Sequence, residues 1–310
     1  MKENRASDKV GSDLIFVIGS SNTDMVVKTD KLPLPGETQL GGVFYMSGGG
    51  KGANQAVAAA RLGGVVSLVT KLGNDIFGKQ AIADFKKENI HTEFVFVDNE
   101  KPSGTALIMV NEQGENCIAV APGANANLMP ADIDRVKNLG EAAIILTQLE
   151  IPMQTVQYIA VKAKRNHQKL ILNPAPAQKL NEDLLEDLFL IAPNEAETHF
   201  LTGIRVEDAQ TASLAASVLL NKGVQNVLIT MGSKGVYFQN RHLQMKLNAP
   251  VVNAIDSTGA GDVFCGAVAV ALTERMDWEP VLRFAVEAAS MSVTRLGAQS
   301  SAPYRTEMMS

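Results

Sequence analysis

The stretch Asp256-Ser257-Thr258-Gly259-Ala260-Gly261-Asp262 sets two carboxylates around small residues, and an apolar, helix-like run follows at once over 263–268. A Gly-rich turn feeding a helix presents unpaired N–H groups at the positive end of the helix dipole, which makes it an anion site. An Asp at the mouth of such a site repels a bound phosphate and is badly placed for binding alone. It makes sense where the site must also take a proton from a group that attacks phosphorus. The same residues fit an ordinary Asp N-cap with glycines for close packing. As a base, Asp262 faces a difficulty: the helix dipole stabilises its charged form and lowers its basicity. Asp256 lies too far along the loop to serve the same hydroxyl, and bonding to the N–H of Thr258 makes it a turn-stabilising residue.

A second glycine-rich stretch, Gly48-Gly49-Gly50-Lys51-Gly52-Ala53-Asn54, opens another helix. Lys51 is followed by Gly52 rather than Ser or Thr, so the Walker motif fails. The glycine spacing and context do not match a dinucleotide fingerprint either. Glycines that let the backbone approach a small ligand, with Asn54 reaching it, fit better.

These loops need a scaffold, and the chain alternates strand-like with helix-like stretches. Leu14–Ile18 is continuously apolar, as expected for a buried strand of a parallel sheet. Asn22 and Asp24 follow it, just past a strand's C-terminal end, where open α/β sheets bind ligands. An amide and a carboxylate suit sugar hydroxyls, which donate to one and accept from the other; an Asx-rich turn is the alternative. Glu150 stands at the tip of a strand over 142–148, as a ligand contact or a solvated loop residue. Strands over 169–173 and 189–192 precede Asn194 and Glu197, which begin a helix with capping-box spacing. After a strand over 226–231, Gly232-Ser233-Lys234-Gly235 forms a turn able to hold phosphates or a ribose, or a plain hairpin. Extended stretches over 25–31, 93–98, 104–110 and 116–120 lack intervening helices and imply a small separate sheet.

Residues 256–269 and 48–56 resemble the C-terminal and N-terminal signatures of the ribokinase family of carbohydrate kinases, the PfkB group. Gln148-Leu149-Glu150, Asn173-Pro174-Ala175-Pro176, Pro193-Asn194-Glu195-Ala196-Glu197 and Thr230-Met231-Gly232-Ser233-Lys234-Gly235 extend the resemblance, which runs from about residue 14 to 303. It implies an α/β domain over 14–303, with a mostly parallel central sheet flanked by helices. It also implies a small β-sheet lid, inserted at about 24–46 and 93–120, that covers the sugar and pairs two subunits as a homodimer. The implied reaction moves a phosphoryl group from ATP to the 5-hydroxyl of D-ribose, giving ribose 5-phosphate and ADP. In that reaction Asp262 takes the proton, and the N–H groups of Gly259, Ala260 and Gly261 stabilise charge on the transferring group. The resemblance assigns Asn22, Asp24, Gly50, Asn54 and Glu150 to the sugar and sets Lys51 close to the phosphates. Nucleotide contacts fall to Asn194, Thr230, Gly232, Ser233 and Gly235 beside Gly261. Glu197 organises Mg²⁺ through water, chemistry that suits this ion. A potassium ion falls to Asp256, Thr258, Ser292, Arg295, Gly297 and Ser301, with Arg295 offering its carbonyl because a guanidinium has no acceptor.

Composition narrows the classes further. The chain has 310 residues, 46% of them hydrophobic and 20% charged, as in a soluble globular protein with a large core. A net charge of −5 argues against nucleic acid as a partner. Cys117 and Cys265 have no metal-ligand spacing, which favours a reducing cytoplasm without a disulfide. The polar N-terminus through Asp13 offers no signal peptide, and no run approaches the ~20 apolar residues of a membrane span. Within the family another sugar or a nucleoside is an alternative acceptor. Asn22, Asp24, Asn54 and Glu150 favour a small polyhydroxylated one, because a base needs an apolar or aromatic cradle. A non-catalytic sugar sensor would lack the base or the anion hole, and this chain has both.

Overall fold

The computed structural model describes residues 13–308; the polar N-terminal stretch preceding them lies outside it. β1 (Leu14–Ile18) runs through the middle of the main sheet, and its side chains alternate between two cores as the pleat requires. Two strands follow without a helix, β2 (Asn22–Lys28) and β3 (Val43–Gly49), and then α1 (Lys51–Arg61). β4 (Val65–Gly73), α2 (Ile76–Lys87) and β5 (Val95–Asp98) return to the main sheet, and β6 (Gly104–Val110) and β7 (Asn116–Ala121) leave it again. The chain continues through α3 (Pro130–Asp134), β8 (Ile144–Thr147), α4 (Met153–Arg165), β9 (Lys169–Leu172), α5 (Glu182–Glu186) and β10 (Leu190–Ile191). It ends with α6 (Glu195–Thr202), α7 (Ala209–Asn221), β11 (Asn226–Thr230), β12 (Val236–Asn240), β13 (Gln244–Leu247), α8 (Ala260–Thr273) and α9 (Trp278–Ser292).

The main sheet has the order β13-β12-β11-β10-β9-β8-β1-β4-β5. It is parallel except where β12 pairs with β11 and β13. From β1 the chain steps to β4 on one side and later returns through β8 on the other. That reversal is where an open α/β sheet leaves a crevice beyond its strand ends. Ile15 and Val17 belong to the core on the side of the sheet that α1, α8 and α9 cover, whereas Phe16 and Ile18 belong to the core on the side that α4 and α7 cover. Among the described residues no helix is long and apolar enough to cross a membrane.

A second sheet, β3-β2-β6-β7, stands apart. The stretch over 93–98 was expected to join it, but β5 instead pairs in parallel with β4 at the edge of the main sheet. Helix α2 supplies the crossover between them, so the unit is an ordinary βαβ that the lone extended stretch concealed. The register places Asp24, Val26, Tyr45 and Ile118 on one face of the small sheet and Met25, Phe44, Met46 and Leu107 on the other.

α1 and α8 pack against each other through small residues. A Cβ added at Gly266 would lie 2.9 Å from the Gln55 carbonyl oxygen and 3.0 Å from Ala58 Cβ, so glycine sets how closely the helices approach. Gly266→Val overpacks this contact and should destabilise the fold by about 1–3 kcal/mol. It should also lower turnover, because it parts the two helices that carry Asn54 and Asp262. Urea midpoints and initial rates check this, and wild-type values of both would remove the contact from the architecture of the site.

Candidate active site

The C-terminal ends of β1, β8, β9, β10 and β11 open on one edge of the sheet, and α1 and α8 begin above them. Asp262 is the third residue of α8 and is buried. Its Oδ2 accepts from Asn54 Nδ2 at 3.0 Å and its Oδ1 from Gln55 Nε2 at 2.9 Å. Burial pushes its pKa up, against Lys51 and the two amide donors, and Glu150 adds to the rise. The expected weakening of this base by the helix terminus is therefore not the dominant effect: removal from water outweighs it.

The glycines ahead of Asp262 differ in purpose. Gly259 has a left-handed backbone (φ 76°), and a Cβ there would meet Ala298 at 2.9 Å, so packing explains it. Gly261 would meet nothing within 4 Å, which leaves the approach to its N–H open. The Ala260 N–H, expected among the anion donors, instead donates to Ser257 O at 3.2 Å. Those of Gly259 and Gly261 have no partner among the described residues.

Asn22 and Asp24 lie on β2, where it leaves the main sheet. Asn22 Oδ1 accepts from Asn125 Nδ2 at 2.8 Å, which assigns the amide's orientation and leaves its nitrogen as a donor. The Asp24 carboxylate lies over Gly49, where a Cβ would come within 2.2 Å of both oxygens. Burial, reinforced by Glu150 and Asp262, raises its pKa to about 6. Asn54 Oδ1 is buried with no partner, an acceptor suited to a hydroxyl. Gly50 ends the turn into α1 with φ 85°, pressed against Ser21 and Asn22.

Glu150 has a scaffold role that its sequence position did not reveal. Its Oε2 accepts from Ser20 Oγ at 2.6 Å and from the Lys51 N–H at 3.0 Å, closing the N-terminus of α1 with a negative charge. Although burial alone would lower the pKa of the Lys51 ammonium, Asp262, Glu150 and Glu197 raise it. It has no salt-bridge partner among the described residues, so a cation stands in the field of three carboxylates.

Asn194 and Glu197 form the capping box of α6: Glu197 accepts from the Asn194 N–H and Nδ2, and its own N–H donates to Asn194 Oδ1. Burial raises the Glu197 pKa against the Asn194 bond and Lys51. A bridge pairs Asn194 with Thr230, which brings the capping box beside the Gly232–Lys234 turn. Gly232 and Ser233 are exposed there. Gly235 is glycine for another reason, since a Cβ would fall 2.0 Å from Leu247 O.

Asp256 joins two loops, its Oδ1 accepting from Thr258 N at 2.9 Å and its Oδ2 from Gly297 N at 2.8 Å. Ser292 and Ser301 donate their hydroxyls to Ala289 O and Ala298 O, and the Arg295 guanidinium pairs with Glu307. Asp256 and Thr258 lie on one loop, Arg295, Gly297 and Ser301 on the other, and Ser292 ends α9 just ahead of the second. The sequence reading missed Gln55, Gln148, Asn173 and Asn125, buried amides that surround the predicted residues. Gln55, Gln148 and Asn173 fall within the fragments that carry the resemblance, and each directly follows a strand or a motif Asn, the signals that could have found them.

The model of the family described as pfkB family carbohydrate kinase matches residues 12–305. The chain is 41% identical over 296 residues to ribokinase of Haemophilus influenzae, covering 95% of this chain and 97% of that protein. It is 39% identical over 291 residues to deoxyribokinase of Salmonella typhi, covering 93% and 95%. The solved structure of Arabidopsis thaliana ribokinase complexed with ribose and ATP superposes with a TM-score of 0.89 at 33% identity, covering 97% of this chain and 98% of that one.

With a pKa near 6, Asp24 is a carboxylate at neutral pH and can accept from two hydroxyl donors with the strength of a charge; protonated, it loses the charge and turns one oxygen into a donor. Sugar KM should accordingly rise about tenfold per unit as the pH falls below about 6, while the KM for MgATP stays level. Asp24→Asn should show a high sugar KM without this dependence. A wild-type sugar KM that stays flat through that range would take Asp24 out of the sugar site.

Proposed function

The chain belongs to the pfkB family of carbohydrate kinases, and from that premise we propose that it is an ATP-dependent kinase of D-ribose, acting on the 5-hydroxyl. The observation that carries this reading is the buried Asp262 carboxylate, held by two amides beside the open N–H groups of Gly259 and Gly261. Asn22 Nδ2, the Asp24 carboxylate and the free Asn54 Oδ1 bind and orient the sugar hydroxyls. Asp262 accepts the proton of the attacking hydroxyl, and its raised basicity suits that step. A loose transition state needs no early deprotonation, so holding the hydroxyl in line matters as much. The N–H groups at the start of α8, together with Lys51, stabilise the charge on the transferring phosphoryl group. The exposed Gly232–Lys234 turn, with Thr230 and Asn194 beside it, holds the nucleotide.

Glu197 fits a water-mediated Mg²⁺ partner, because its buried carboxylate is incompletely neutralised by Asn194 and Lys51. When bound, the ion supplies charge neutralisation at the phosphates. Asp256, Thr258 and Gly297, with Ser292, Arg295 and Ser301 contributing hydroxyl or carbonyl oxygens, fit a potassium ion that would stiffen the loop ahead of Gly259. Deoxyribose is the second reading for the acceptor, favoured by the identity to the Salmonella deoxyribokinase.

One coupled assay tests these assignments. The kcat/KM for D-ribose should exceed that for 2-deoxyribose at least about tenfold, since a missing hydroxyl leaves buried polar groups unpaired. Asp262→Asn should lower kcat roughly 10²–10⁴-fold with nucleotide binding retained. Alkali-free Tris buffer should cost about tenfold or more, restored by potassium better than by sodium and not restored in Asp256→Asn. Near-normal turnover of Asp262→Asn would end the catalytic assignment, a preference for 2-deoxyribose would change the acceptor, and full activity without a monovalent cation would remove the ion.

The small sheet supports a homodimer, because Phe44, Met46 and Leu107 on one face and Tyr45, Ile118 and Val120 on the other are exposed. Light scattering should give twice the chain mass. Ile118→Lys and Leu107→Lys probe the two faces separately, and one of them should yield a monomer; a monomeric wild type at assay concentration would overturn the dimer.

A further inference from the structure

Behind the Gln55 amide that holds Asp262 lies a run of buried carboxamides, Gln148 and Asn173, that the proposed chemistry has not used. Gln55 Nε2 donates to Asp262 Oδ1 at 2.9 Å and to Asn173 Oδ1 at 3.2 Å, so both its hydrogens are committed. Gln55 Oε1 accepts from Gln148 Nε2. Asn173 Nδ2 donates to the carbonyl of Ala192 at 3.0 Å. Gln148, Asn173 and Ala192 stand directly after β8, β9 and β10, and Gln55 and Gln148 are fully buried.

The direction of each amide follows from its neighbours. The Ala192 carbonyl accepts only, so Asn173 must point its nitrogen there and its oxygen at Gln55. A flipped Gln55 would face its oxygen toward two acceptors and its NH₂ toward that of Gln148. The Gln55 nitrogen is thereby fixed on Asp262 by the ends of three central strands. An apolar side chain would fill the same space without the desolvation of an amide, and Gln148 Oε1 is left unpartnered against Gly19. Such a cost makes sense where direction at Asp262 is what the arrangement provides.

We propose that Gln55, oriented by Gln148 and Asn173, is a positioning residue that aims the Asp262 carboxylate at the attacking hydroxyl and holds it ionised. The proposal rests on Asp262 being the base. Lys51 from α1, Glu150 beyond β8, Asp24 on β2, Glu197 on α6 and Cys265 on α8 also act electrostatically on this carboxylate or sense its charge.

The test is the pH dependence of kcat at saturating sugar and MgATP, conditions under which Asp24 and sugar affinity drop out. Gln55→Leu should lower the plateau roughly tenfold to hundredfold, the loss of one hydrogen bond to a charged group, with the KM for MgATP within about twofold. A donor stabilises the carboxylate, so its removal raises the pKa of the base, and the acid limb should move up by about one pH unit or more. Gln55→Glu keeps the shape but makes two carboxyl groups share a proton, and should move the limb further in the same direction. Gln148→Leu touches Gln55 and not Asp262, and should give a smaller shift of the same sign. Folded variants with a wild-type plateau and limb would overturn the proposal. Loss of cooperative unfolding in all three would overturn it too, by assigning the amides to folding alone. Asp262→Asn run alongside separates the two ideas: if it turns over normally the base assignment fails, and if it is dead while the Gln variants are normal only the positioning fails.

Discussion

The structure is organised around an ionisable carboxylate taken out of water. Burying a lone charge is costly unless hydrogen bonds and a counter-charge accompany it. Asp262 is accordingly met by Asn54 and Gln55, with Lys51 near enough to act on it. All three belong to the first turns of α1, so one helix must lie close against the start of α8. Gly266 against Gln55 and Ala58 makes that approach possible, and Gly52 against Gly19 seats α1 on the loop after β1. The apolar packing of these helices on the sheet is thus tied to the electrostatics of one residue.

The surrounding charges follow from the same constraint. Asp24, Glu150, Glu197 and Asp262 make the cleft strongly negative, and burial of Asp24, Glu197 and Asp262 raises their pKa values. Lys51 answers part of this field from within the chain. In the proposed reaction the remainder suits a substrate rich in hydroxyl donors and a phosphate group delivered with a divalent cation. An electronegative pocket repels bare phosphate, so a divalent cation carried with the proposed nucleotide would assist binding as well as reaction.

What the sequence revealed reflects how far each feature depends on distant contacts. The glycine-rich turns, Asp262 and the alternation of strands with helices are local, and they stand out in the chain itself. The strand over 93–98 was misassigned because neighbouring extended segments hid its βαβ context, which pairing with β4 makes plain. Glu150 read as a sugar contact or a solvated loop carboxylate, because its partners Ser20 and Lys51 lie far away in sequence. Gln55 read as one more residue of a helix, since neither Gln148 nor Asn173 can be linked to it by spacing. Buried amide networks carry no local periodicity, so only the fold discloses them.

The position of α1 connects the two halves of the site. At its N-terminus Glu150 ties it to the ends of β1 and β8. At its C-terminus Arg61 forms a two-pronged pair with Glu88, donates to the carbonyls of Gln299 and Ala302, and stacks on Tyr304. The loop so held places Ala298 against Gly259, gives the N–H of Gly297 to Asp256, and reaches Gly49 at the root of the small sheet through Gln299. A displacement of α1 would therefore move the Asp262 clamp, the turn at Gly259 and the root of the small sheet together. A charge-assisted fork such as Arg61 provides directional contacts that apolar packing alone would not supply. The small sheet and the turn ahead of α8 thus share one mechanical element, although they arise from distant parts of the chain.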